Sequence, residues 1–200
     1  MAADDYYDSV GQVLAYVLSS SDKIKGQGAR RGGLNFYVQR DGVLLELFCP
    51  PDRRYFSLSY DLRISDFLKT KYEEETQILR GHIERYDIKE NRLGDENLND
   101  IVSYHRIKDI DEEEVDEAYQ SVQSYSIHSD CRIRNLKMRD PRENKTGETW
   151  DGIKITGLLY PYEDEFSPRG YERTAQEVIS VAKQVEDSVK RLDILEQTGY

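Results

Sequence analysis

Apolar positions along the chain follow two different periods. Between Asp8 and Ser20, Val10, Val13, Leu14, Val17 and Leu18 recur at i, i+3, i+4, i+7 and i+8. That spacing puts them on one face of an amphipathic helix, and Asp8 or Ser9 is placed to cap its start. The segment SSSDKIKGQGARRGG that follows reads as a mobile loop. The period then changes to two. Leu34, Phe36 and Val38 alternate with Asn35, Tyr37 and Gln39, and Asp41-Gly42 is a strong hairpin signal. Val43 to Phe48 predicts a second strand, broken by Pro50-Pro51-Asp52. Phe56, Leu58, Tyr60 and Leu62 alternate with Tyr55, Ser57, Ser59 and Asp61 in a third. Three sequential antiparallel strands make a meander, with one face packed and the other turned to water or to a partner.

Helical spacing returns at Ile64, Phe67, Leu68, Ile78 and Leu79. From Gly81 to about Asp109 no clean period exists, and the segment reads as irregular helix or loop. Val115, Ala118, Tyr119 and Val122 predict a helix whose acidic start, DEEE, suits the positive end of a helix dipole. Cys131 to Met138 and Trp150 to Tyr160 predict two strands joined by the exposed loop PRENKTGE. Pro161 ends the second strand. Ser167-Pro168 opens a last helix through Ala175, Val178, Ile179, Ala182, Val185, Val189 and Leu192. The expectation is one α+β domain over residues 1–200, with a helical or irregular middle at about 64–128. It is a two-layer fold, an antiparallel sheet (three-strand meander plus two-strand hairpin) covered by the N- and C-terminal helices.

That order of elements, from Asp8 to Leu195, together with the acidity of the chain, resembles the type III secretion chaperone-like superfamily. The resemblance implies a non-enzymatic fold, often homodimeric, that binds other polypeptides. It brings no catalytic motif to carry over.

Composition sharpens the picture. The 200 residues carry 28 Lys and Arg against 39 Asp and Glu, a formal net charge of −11. Charged residues make up 34% of the chain, against ~25% in an ordinary soluble domain, so the surface is highly charged and the core lean. An acid excess argues against nucleic acid as a general partner, because phosphates need clustered cations. It equally disfavours adhesion to anionic membranes. No apolar run is long enough for a membrane span, and the acidic N-terminus MAADDYYDSV lacks the features of a signal peptide. Two cysteines, Cys49 and Cys131, make no disulfide framework. A cytoplasmic protein with reduced, inert thiols is expected. Asp slightly outnumbers Glu and Arg outnumbers Lys, a balance that suits either a salt-rich cytoplasm or an ordinary acidic protein.

Candidate chemistry is sparse. Lys23, Lys25, Arg30 and Arg31, interleaved with Gly26, Gly28, Gly32 and Gly33, form a basic glycine-rich patch. Glycines let backbone N–H groups approach an anion, and Arg can pair with it bidentately. Phosphate loops, however, run from strand to helix, and this one runs from helix to strand. It reads as a connector or as an anion site built on Lys25, Gly28, Arg30 and Arg31. His82, His105 and His128 have neither the spacing nor the neighbours of a metal motif. Cys131 with His128 lacks a third catalytic member. The carboxylates Asp109, Asp111, Glu112, Glu113, Glu114, Asp116 and Glu117 lack the glycine-centred pattern of a calcium loop. They read as a solvated face, as do Glu163, Asp164 and Glu165.

Tyrosine is the informative residue, 15 Tyr against 5 Phe. It is amphipathic and favoured at recognition surfaces. Tyr37 and Tyr55 fall on the polar face of the meander, and Tyr160 and Tyr162 flank Pro161. They either dress the edges of a charged protein or form a partner-binding face. The reading is therefore a non-enzymatic, chaperone- or adaptor-like protein without a cofactor or metal, binding another polypeptide as a homodimer. The alternative is a ligand- or nucleotide-binding regulatory domain using loop 23–33.

Overall fold

The computed structural model describes residues 3–20, 22–68, 81, 83–85, 95–126, 129–142, 146–163 and 166–191. Helix α1 (Ala3–Ser19) leads into four consecutive strands: β1 (Lys23–Arg30), β2 (Gly33–Arg40), β3 (Val43–Cys49) and β4 (Phe56–Arg63). A short α2 (Ile64–Leu68), α3 (Asp95–Lys108) and α4 (Glu112–Ser126) follow. Strands β5 (Arg132–Arg139) and β6 (Glu148–Leu159) and helix α5 (Pro168–Val189) complete the chain. The strands form one antiparallel sheet in the order β1-β2-β3-β4-β6-β5, with β1 and β5 at its edges. The α+β class and the terminal helices expected from the sequence are present.

The meander has one strand more than its alternation suggests. The glycine-rich segment is not a loop but edge strand β1, paired antiparallel with β2 from Lys23↔Gln39 to Arg30↔Gly33. Its burial is almost uniformly low, so no apolar side chain marks an inward face, and Gly26 and Gly28 erase the period. Its Lys and Arg side chains are what an exposed edge needs to resist pairing with another chain. Helix α1 starts earlier than the Asp8/Ser9 cap expected, because Tyr6 is buried and its hydroxyl donates to the Cys49 carbonyl at 2.8 Å. The region from Gly81 to Asp109 contains the ordered helix α3. The expected helix from Ile64 is described only as α2, and its continuation to Leu79 lies outside the described residues, as does Leu192.

The chain divides into two compact units. The first holds Met1–Asp61, Gln123–Arg134 and Lys154–Val185. Its core lies between one sheet face and helices α1 and α5. Val13, Val17, Val38, Leu45, Leu47, Phe56, Ile155 and Val178 are fully enclosed there, each worth roughly 1.5–3 kcal/mol. Leu18, expected inside, is 63% exposed. Gly157 lets α5 approach β6, since a Cβ there would meet Thr174 and Val178. A partly buried ionic network ties the elements together. Arg40 of β2 pairs with Glu172 of α5 and lies 3.4 Å from Asp22, to which Tyr171 donates its hydroxyl at 2.8 Å.

The second unit holds Leu62–Val122, Asn135–Ile153 and Glu186–Tyr200. Ile83, Leu98, Ile101 and Val102 form its apolar cluster. Asp151, almost fully buried, pairs with Arg63 at 2.9 Å and accepts the Ser65 N–H at 2.9 Å. Gly152 beside it has φ of 114°, and a Cβ there would strike the Leu62 carbonyl.

Candidate binding groove

Strand alternation sorts the first unit's side chains onto two sheet faces. Leu34, Phe36, Val38 and Arg40 face the helices. Asn35 and Tyr37 share the opposite face with their register partners Phe48 and Glu46, which in turn oppose Ser57 and Ser59. On that face lies a groove of about 570 Å³. Its cations are Arg30, Arg31, Arg53, Arg132, Arg134 and Lys154. Among the described residues Glu46 and Asp52 are its only carboxylates, and Phe48, Tyr55, Ser57, Ser59, Thr156 and Leu158 line the space between the charges.

The floor is internally neutralised. Lys154 Nζ donates to Glu46 Oε2 at 2.9 Å and to Asp61 Oδ1 at 2.7 Å. Arg30 Nη1 reaches Glu46 Oε1 at 3.2 Å. Burial alone would push the Glu46 carboxyl up, but the Lys154 ammonium and Arg30 guanidinium outweigh it and hold the group below its ordinary range. The rim is different. Arg53 lies over the Tyr55 ring, 5.6 Å from its centroid, and donates to the Tyr55 hydroxyl. Arg31, Arg132 and Arg134 pair with no carboxylate among the described residues.

The residues singled out from the sequence separate here. Arg30, Arg31 and Tyr55 line the groove. Tyr37 is 42% exposed on the same face. Tyr160 is 40% exposed with its ring 6.5 Å from that of Tyr55. Tyr162 turns the other way, its ring 5.9 Å from buried Phe56. Burial pushes its phenol up, partly offset by the Ser9 hydroxyl. Lys25 and Gly28 sit on β1 outside the groove lining, with Gly28 opposite Asn35, so the basic patch is not a single phosphate-cradling loop. Arg53, Arg132, Arg134 and Lys154 escaped sequence reasoning. The alternation of Arg132 and Arg134 along a predicted strand was the available signal.

Other candidates play structural parts. Asp111 caps α4 by accepting the Glu113 N–H at 3.0 Å. Both cysteines are free and buried. Burial and the nearby Arg142 guanidinium push the His105 imidazole down. His82, His128, Asp164 and Glu165 lie outside the described residues. No described helix is long and apolar enough to cross a membrane. No protein-family model matches the chain, and searches of curated proteins and of solved structures give no match. The fold and the groove define an α+β protein with one sheet face packed under helices and one presenting a charged, aromatic-lined surface.

Proposed function

We propose that this is a non-enzymatic binding protein, chaperone- or adaptor-like, that holds another polypeptide on the open face of its sheet. The observation that carries the reading is the aromatic surface of exposed Tyr37 and Tyr160 and half-buried Tyr55 on the face away from α1 and α5. Tyrosine offers large contact area at small entropic cost and keeps a polar end for water. The resemblance to the type III secretion chaperone-like superfamily, a cytoplasmic location and a homodimeric state belong to the same proposal.

The test uses a permanently unfolded polypeptide, reduced and carboxymethylated, with a fluorescent label. The full chain binds it, Tyr37→Ala with Tyr55→Ala weakens binding, and light scattering gives a dimer mass. A strict monomer that retains no polypeptide overturns the proposal.

One observation favours a second reading, a phosphate-bearing small ligand: Arg30 and Arg31 both line a groove that also offers the Ser57, Ser59 and Thr156 hydroxyls. Nucleotides then raise the melting temperature, and Arg30→Ala with Arg31→Ala removes the shift. No shift in the parent protein eliminates that reading.

A further inference from the structure

We infer that the groove on the open sheet face takes an acidic stretch of polypeptide, whose carboxylates are held by the arginines of its rim. The inference rests on the polypeptide-binding reading and adds the chemistry of the occupant.

The first argument is where the charges are not. The chain has 39 Asp and Glu residues, yet among the described residues only Glu46 and Asp52 line the groove. Glu46 is consumed by Lys154 and Arg30. The rim is thus left with Arg31 and Arg53 from the β1–β2 turn and the β3–β4 loop, and Arg132 and Arg134 from β5. All four are arginine, whose planar fork matches a carboxylate bidentately. An acidic protein that sets cations in excess of its own carboxylates in one groove is complementary there to an acidic partner.

The second argument is backbone strain. Two tight hairpin turns close this meander with nearly the same geometry. Asp41 and Gly42 have φ of 50° and 83°; Arg31 and Gly32 have φ of 49° and 77°. Both central residues of such a turn need positive φ, which favours Asn, Asp and Gly. The Asp41-Gly42 turn complies. The other turn places an arginine where that residue type is disfavoured, and that arginine lines the groove. Strain kept at one position points to a role for the side chain.

The floor suits a peptide rather than a long polyanion. Phe48, Tyr55 and Leu158 offer apolar contact to the stems of acidic side chains, and Ser57 and Thr156 offer hydroxyls to its backbone. Outside the groove, the net charge of −11 repels an extended nucleic acid, whereas a short acidic stretch is repelled little.

The experiment measures fluorescence anisotropy of the full chain with three labelled probes: a Glu/Asp-rich peptide, its Gln/Asn counterpart and a single-stranded DNA oligonucleotide. The acidic peptide binds, and near-molar salt weakens it at least about tenfold. Arg132→Glu with Arg134→Glu weakens it by a similar factor or more, while Lys25→Glu, outside the groove, does not. Arg31→Asn moves two readouts in opposite directions: it raises the melting temperature by relieving the turn and weakens peptide binding. That pairing distinguishes lost recognition from damaged folding. Equal binding of the neutral peptide overturns the inference and leaves the polypeptide reading standing. Binding of the oligonucleotide alone overturns both. Salt-sensitive self-association without peptide binding makes a second copy the occupant and overturns the inference.

Discussion

Lys154 Nζ lies 2.9 Å from Glu46 Oε2, although β4 separates their strands in the sheet. The lysine side chain spans the width of β4, whose Ser59 is paired with Glu46 in register, and is only 10% exposed. Its second partner, Asp61, completes a lattice that fixes the groove floor. A charged group this enclosed is costly to leave unpaired. Lys154→Met leaves Glu46 with Arg30 and the weakly placed Ser59 hydroxyl, and a loss of about 1–3 kcal/mol is expected. Urea unfolding measures it. A double-mutant cycle with Glu46→Gln should return a coupling energy of the same sign, and additivity of the two changes would contradict the lattice.

Acid should dismantle the same lattice. The Glu46 carboxyl sits below its ordinary value of 4.5 despite its burial, because of Lys154 and Arg30. Glu172 is also lowered, chiefly by its hydrogen bond from Arg40. A carboxyl with a depressed folded pKa stabilises the fold above its unfolded value and loses that contribution as pH falls through the folded one. The melting temperature is therefore flat near neutrality and falls below about pH 4.5. Glu46→Gln lowers the plateau and flattens the acid limb; an unchanged limb in that variant would remove Glu46 from the account.

Tyr171 is fully buried on α5, and burial is the largest of the influences raising its phenol pKa, followed by its bond to Asp22. Tyr171→Phe keeps the packing and removes one hydrogen bond to a buried carboxylate. The expected cost is about 1–3 kcal/mol. A neutral result in thermal and urea unfolding would show that Arg40 and the Ser20 hydroxyl, which donates to Asp22 at 3.1 Å, satisfy that carboxylate by themselves.

Three glycines should behave differently under the same change to alanine. Gly152 has positive φ and abuts the Leu62 carbonyl. Its replacement should cost at least about 2 kcal/mol. At Gly33 the added Cβ would stand 2.6 Å from the Cys49 carbonyl and 3.0 Å from the Phe48 ring, so substitution there also destabilises and disturbs the groove. A Cβ added at Gly28 meets no described atom within 4 Å, and its substitution should stay within about 0.5 kcal/mol. Unfolding curves of the three variants give the ranking directly.

Burial pushes the Cys49 thiol up to about 12 and the Cys131 thiol up to about 11. Thiolate is the reactive form, so neither cysteine should react appreciably with a disulfide reagent at mildly alkaline pH until the chain is unfolded. Rapid reaction of Cys49 in the native protein would contradict its enclosure.

Much of the architecture was legible in the order of residues, because a half-buried strand and an amphipathic helix each impose a period on apolar side chains. Strands β2, β3 and β4, the hairpin β5–β6 and helix α5 with Pro168 at its start follow those periods. Strand β1 did not announce itself, because an edge strand exposed on both faces needs no apolar alternation and two of its residues have no side chain. Helix α3 lacks a clean stripe, yet Leu98, Ile101, Val102 and Tyr104 are buried, so tertiary packing supplied what local pattern did not.

The groove divides in the same way. The sequence by itself determined that Tyr37 and Tyr55 share the polar face of a sheet, and that the chain carries an acid excess of 11. Only the tertiary structure decided that Arg30, Arg31, Arg53, Arg132 and Arg134 converge there, from parts of the chain up to about a hundred residues apart. Net charge is a sum over the chain and carries no direction, whereas recognition depends on which charges a fold brings within a few ångströms of each other. The pairing of β4 with β6 brings β5 to the strand next beyond β6, and so puts a cationic groove on an acidic protein.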